Sequence, residues 1–140
     1  MLVVDGGGLL IGFHLASANR HEVKLATSTL QSVRVPRGDR GRPKQLVADK
    51  AYDSKSFRGW LRRSRRIKPI IPSYQRRERK RPKRGRPIET GASYAQRWKV
   101  ERTSAWLGNF RRFLVRQERY LPTFRAFFLV AFILVTLRQF

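Results

Sequence analysis

Apolar residues fall along this chain in short bursts separated by glycine, proline and dense positive charge. Leu2 to Val4, a break at Asp5-Gly6-Gly7-Gly8, and a second run from Leu9 to Ala16 predict a β-hairpin over residues 2–16 with a glycine turn. Val23, Leu25, Ala26, Leu30 and Val33 follow at helical spacing and predict a short helix from Glu22 to Val33. Residues 34–44 carry Pro36, Gly38, Gly41 and Pro43 among arginines and read as a basic loop. A short strand over 45–49 ends on Asp49. Ser54 is placed to cap a helix that runs to about Arg66, with Phe57, Trp60 and Leu61 on its apolar side. Ile67 to Ile71 predicts another strand, stopped by Pro72. Residues 74–87 are almost all Arg, Lys, Pro and Gly, a cationic linker that cannot build a core. A long helix is expected over 93–115 and a strongly apolar one over 123–138. Strands mixed with helices indicate an α/β layer architecture.

Composition narrows the chemistry. The chain has 140 residues, enough for one domain or part of one. Its 32 Lys and Arg against 9 acidic residues give a net charge of +23, which favours a polyanionic partner. DNA or RNA is the first candidate and an anionic membrane surface the second. No cysteine is present, which excludes disulfides and thiolate zinc sites and agrees with a reducing compartment. With only His14 and His21, a histidine-built metal site or a Ser-His-Asp triad has little support. Any metal would be held by carboxylates, which suits Mg²⁺ or Mn²⁺. No signal-peptide pattern opens the chain. The apolar run near the C-terminus lies between Arg125 and Arg138 and is shorter than the roughly 20 residues a membrane span needs. It reads as a buried core helix.

With so few acids, each position matters. Asp49 stands at the carboxyl end of a short buried strand, where functional groups of open α/β sheets gather, and where an Asp also starts turns or caps helices. At about 100° per residue from Tyr94, the expected long helix divides into two faces. Val100, Trp106, Leu107, Phe110, Phe113 and Leu114 form the core side. Tyr94, Arg97, Glu101, Ala105, Gly108 and Arg112 form the other. Arg97 and Glu101 also have the spacing of a helical ion pair. Trp98 lies on that second stripe and reads as packed structure, with stacking on a displaced base as the alternative. A strand-end Asp and a helix Glu supply the oxygen ligands that two-metal phosphodiester chemistry uses, although such a site needs at least one further carboxylate.

These segments together resemble a known family. Leu46-Val47-Ala48-Asp49-Lys50-Ala51-Tyr52-Asp53 is similar to the motif around the second catalytic Asp of DDE-type insertion-sequence transposases. Val100-Glu101-Arg102-Thr103 with Trp106-Leu107 is similar to their motif around the catalytic Glu, and Tyr94, Arg97 and Glu101 match the family's Tyr, Arg, Glu spacing. Val4-Asp5-Gly6, Gly12-Phe13 and Ala18-Asn19-Arg20-His21 resemble its hairpin and following turn. The family has Asp where this chain has Glu22, and often Lys where it has Gly108.

The resemblance implies the C-terminal part of a catalytic domain with a ribonuclease H-like mixed sheet flanked by helices, lacking the first strand and its Asp. It implies DNA transposition by metal-dependent cleavage and strand transfer. Asp49 and Glu101 would be the catalytic and metal-binding residues, with Mg²⁺ or Mn²⁺ as cofactor. Asp5 is a further candidate ligand, although it matches the family's hairpin-turn Asp. Tyr94 and Arg97 would position the scissile phosphate. Arg111, Arg112 and the basic arm of Arg76, Arg77, Lys80, Arg81, Lys83, Arg84 and Arg86 would contact DNA. The implied partners are the element's terminal inverted repeats, target DNA, and an upstream transposase segment or an oligomer, in the cytoplasm at the nucleoid and without a membrane. Two other readings compete: a basic nucleic-acid-binding protein without chemistry, and a membrane-surface protein using its final helix.

Overall fold

The computed structural model describes residues 1–17, 19–33, 43–73 and 91–138. Residues 34–42 and the basic arm over 74–87 lie outside them. The chain forms two compact units. One comprises Met1–Arg20, Ser28–Val35 and Trp98–Phe140, and the other His21–Thr27 and Pro36–Arg97.

In the first unit, β1 (Leu2–Val4) pairs antiparallel with β2 (Leu10–Phe13). Leu2 faces Phe13 and Val3 faces Gly12, and a bulge then puts Val4 opposite Leu10. The turn between them holds itself together: the Asp5 carboxylate accepts the Gly7 and Leu9 amides at 2.8 and 2.9 Å. Gly8 adopts φ +92°, a conformation that L side chains rarely take. Its position is crowded too, since a Cβ there would stand 2.6 Å from the Arg102 guanidinium.

Helix α4 (Trp98–Gly108) and helix α6 (Leu121–Leu137) cover one side of the hairpin. Leu10, Leu107, Phe128, Ala131 and Val135 are buried together, with Leu2, Val4, Phe13, Trp106, Phe110 and Phe113 packed around them. Phe113 meets Phe124 and Phe128 edge-on, at centroid distances of 5.7 and 5.4 Å. The C-terminal part of helix α1 (Glu22–Gln31) also joins this unit: Thr29 is fully buried and donates to the Met1 sulfur, and the Ser32 hydroxyl lies 3.0 Å from the Phe13 carbonyl.

In the second unit, β3 (Gln45–Val47) runs parallel to β4 (Lys68–Ile70). Between them α2 (Lys55–Trp60) continues into a wider π-helical turn, Leu61–Arg65. Arg66 closes it in the left-handed region at φ 54°, and the Ile67 amide reaches back to the Leu61 carbonyl at 3.0 Å. Phe57, Leu61, Ile67, Ile70 and Ile71 are buried. Arg58 ties the elements together, pairing with Asp53 at 2.7 Å and donating to the Ile71 carbonyl at 2.6 Å. The Lys68 amide bonds to Lys44, so residue 69 of β4 faces away from β3. Pro69 stands there and lacks the N–H that a further ladder would need, as suits an edge strand.

Among the described residues the strands pair as two two-stranded sheets, β1–β2 in the first unit and β3–β4 in the second. The architecture is mixed α/β, and its helices depart from the sequence expectations in three places. The single helix over 93–115 is instead three pieces: α3 (Gly91–Ala95), α4, and α5 (Arg111–Leu114). A turn at 96–97 and another at 109–110 separate them, each closed by tight bonds such as Arg97 N–H to Tyr94 and Phe110 N–H to Leu107. Ser54 does not cap α2 with its side chain; its hydroxyl pairs with that of Ser56 at 2.8 Å. Finally, α6 is not wholly buried. Phe128, Ala131 and Val135 share one face and enter the core, while Val130, Ile133 and Leu137 are 55%, 53% and 65% exposed. The helix is apolar all round, but the hairpin and α4 cover only one stripe of it. No helix of the described residues is long and apolar enough to cross a membrane.

Candidate functional site

In the second unit, four polar side chains gather where β3 ends. Asp49 lies two residues past the last paired position, Val47. One carboxylate oxygen accepts the Lys50 amide at 2.6 Å, capping the short 3-10 turn Lys50–Tyr52. The other faces the Arg97 guanidinium at 3.6 Å. Both side chains are more than a third exposed, so this pair contributes roughly 0–1 kcal/mol to stability. Its interest is positional. Arg97 reaches Asp49 because α3 is held at β3, the Ser93 hydroxyl bonding to the Gln45 amide oxygen at 3.0 Å. Tyr94 lies beneath the Arg97 guanidinium, 5.8 Å from ring to charge. The motif surrounding the strand-end Asp and the Tyr-x-x-Arg motif thus meet in one place.

Tyr52 completes this cluster. Burial pushes its phenol well above its ordinary value, and a hydrogen bond to Glu22 with the negative charges of Glu22 and Asp49 pushes it further. The phenol therefore stays protonated and acts as a donor, joining the start of α1 to the turn after β3.

In the first unit, Glu101 is exposed in the first turn of α4, where negative charge favours the helix terminus. Around it α4 grips the glycine turn. Lys99 donates to the Gly6 carbonyl, Arg102 to Gly7 at 3.1 Å and Thr103 to Gly8 at 2.7 Å. Asp5, on the same turn, is occupied by its own backbone amides. Arg112 pairs with Glu118 at 3.3 Å and lies over the Phe127 ring at 4.4 Å, and Arg111 is exposed. Arg76, Arg77, Lys80, Arg81, Lys83, Arg84 and Arg86 lie outside the described residues. Asp49, Tyr94 and Arg97 are therefore brought together, while Glu101, Asp5, Arg111 and Arg112 belong to the other unit.

The whole sequence bears on what this arrangement is. It matches the transposase DDE domain family over residues 1–136. The chain belongs to that family. It is also 34% identical over 131 residues to a Burkholderia cepacia protein named as a transposase for insertion sequence element IS402. That match covers 90% of this chain and 56% of the relative, so the chain spans a little over half of the relative's length. No solved structure matches the chain at a significant level.

Within this DDE domain, sequence reasoning missed Tyr52, Glu22, Arg102 and Thr103. Tyr52 and Glu22 sit inside the two motifs already singled out, but only folding shows that they meet. Arg102 had a readable signal, since Trp98, Arg102 and Trp106 recur every fourth residue and share one side of a helix. Thr103 had only its place in the motif after Glu101: a polar residue is rarely fully buried, and here a carbonyl on a distant turn is its reason.

Proposed function

We propose that this chain forms part of the DNA-cleaving and strand-transferring domain of an insertion-sequence transposase, with its strands as portions of a ribonuclease H-like sheet. In this reading Asp49 and Glu101 are its carboxylates, and Tyr94 and Arg97 hold a DNA phosphate. The observation that carries the reading is the Arg97–Asp49 pair beyond β3, which sets a guanidinium over an aromatic ring beside an exposed carboxylate. Phosphate oxygens can replace the Asp49 oxygen at Arg97, because the guanidinium fork suits either oxyanion. The partners are the element's ends and target DNA, met by Arg111, Arg112 and the basic arm.

The cofactor proposed with it is Mg²⁺ or Mn²⁺, held by oxygen donors. Among the described residues no three of Asp, Glu and His group as a metal would require. These residues alone do not complete such a centre, and a further carboxylate would come from an upstream transposase segment or another protomer. The same observation favours a second reading, in which the chain binds nucleic acid without chemistry. Duplex DNA binding across a salt series tests the phosphate contact that both readings share, and metal binding separates them. We expect Arg97→Ala to weaken binding and to lower the slope of log affinity against log salt by about one. An unchanged slope removes Arg97 from the DNA contact and overturns the assignment. Mn²⁺ binding followed by electron paramagnetic resonance should fall in Asp49→Asn. Equal binding by both proteins leaves the second reading standing.

A further inference from the structure

Helix α4 carries a ladder of three flat groups. The Arg102 guanidinium lies 4.8 Å from the Trp98 ring centroid and 4.7 Å from that of Trp106. One arm of the guanidinium donates to the Gly7 carbonyl, and its buried Nε meets no hydrogen-bond partner among the described residues. The Gly7 bond and the two ring contacts together fix its place. The two ends of the ladder differ. Trp106 packs against the core, whereas Trp98 remains 49% exposed. The exposed apolar ridge of α6 is aliphatic and offers no flat surface. Trp98 offers an indole that is held in place on one side by Arg102 and open to solvent on the other.

We propose that Trp98 is a stacking site for an unpaired nucleobase of single-stranded DNA. The base would extend the series Trp106, Arg102, Trp98 by one layer. Every base has a π-face, so the contact reads unpairing and not sequence. Within a duplex those faces are already stacked on neighbouring bases. A guanidinium beneath the indole brings positive charge close to the strand without occupying the open face. The inference rests on the DNA-binding reading above and adds to it a preference for unpaired strand that charge alone does not give.

The test uses the whole chain and end-labelled oligodeoxynucleotides of equal length, followed by fluorescence anisotropy at one salt concentration. Three probes are compared: a single strand, the same strand carrying abasic positions, and a duplex. Abasic positions keep the phosphate charge and remove the ring. The unsubstituted protein should bind the intact strand about 10-fold more tightly than the abasic strand. Trp98→Leu should remove that difference and leave duplex affinity unchanged, while Trp98→Phe should keep most of it. Equal binding of intact and abasic strands by the unsubstituted protein overturns the proposal, whatever the variants do. A difference that survives in Trp98→Leu also overturns it, by placing the stacking elsewhere. Failure to bind duplex and single strand alike would overturn the DNA-binding reading itself.

Discussion

The two units handle positive charge in opposite ways. In the first, the cations of α4 serve the fold: Lys99 and Arg102 bind the carbonyls of the glycine turn. In the second, Arg97 faces an exposed carboxylate at a strand end. Arg58, a few residues from Asp53, shows the contrast within that same unit, since it is nearly buried and bonded to two carbonyls. A net charge of +23 therefore overstates the surface available to a polyanion. Arginines that donate to backbone carbonyls are part of the structure, and those that meet an exposed acid can exchange it for phosphate.

The largest effect should come from breaking the grip of the first unit. Thr103 is fully buried and bonds to the Gly8 carbonyl at 2.7 Å. Thr103→Val keeps the shape and leaves that carbonyl unpaired, which costs about 2 kcal/mol. Thermal melts should show the loss, with Thr103→Ser recovering most of it. If Val is neutral, the glycine turn is not held by α4, and Lys99 and Arg102 return to the pool of DNA-facing cations.

Sequence alone made the mixed α/β class, the hairpin with its glycine turn and the strand leading to Asp49 legible, because each rests on local pattern. The helix over 93–115 was not. Residues 93–97 contain no proline or glycine, and the chain turns there because Ser93 and Arg97 are held by Gln45 and Asp49, contacts that periodicity cannot foresee. Tyr94, Arg97 and Glu101 were grouped by counting along a continuous helix, so that grouping lost its geometric basis with the break at 96–97. The second break did leave a trace, in the weak helix formers Gly108 and Asn109. The exposure of α6 was hidden for the opposite reason: a segment apolar on every side does not say how many of its sides will find partners.

A smaller effect sharpens the picture of the second unit. Tyr52 donates to Glu22 and is pushed upward by burial and by two negative charges. Tyr52→Phe should cost about 1 kcal/mol near neutral pH, the share of a partly exposed hydrogen bond to a charged acceptor. Because the folded value lies above the unfolded one, the phenol's contribution is complete below about pH 10 and is lost as pH rises beyond it. The difference between wild type and Tyr52→Phe should therefore hold up to about pH 10 and shrink above it. A constant difference would mean that the phenol is no better protonated in the fold than outside it.

The smallest effect lies at Arg66, which ends the helix after β3 in the left-handed region at φ 54°. A side chain there costs roughly 1–2 kcal/mol that glycine avoids, while glycine gives up about 0.5–1 kcal/mol in backbone entropy on folding. Arg66→Gly should thus raise stability by about 0.5 kcal/mol, read as a small upward shift in Tm. It also removes an exposed cation from the second unit, so the same variant weighs charge against geometry. If duplex DNA affinity is unchanged while Tm rises, Arg66 belongs with the arginines that only fill a position in the fold. If affinity falls by as much as in Arg97→Ala, an arginine facing an acid and an exposed arginine such as Arg66 serve DNA alike.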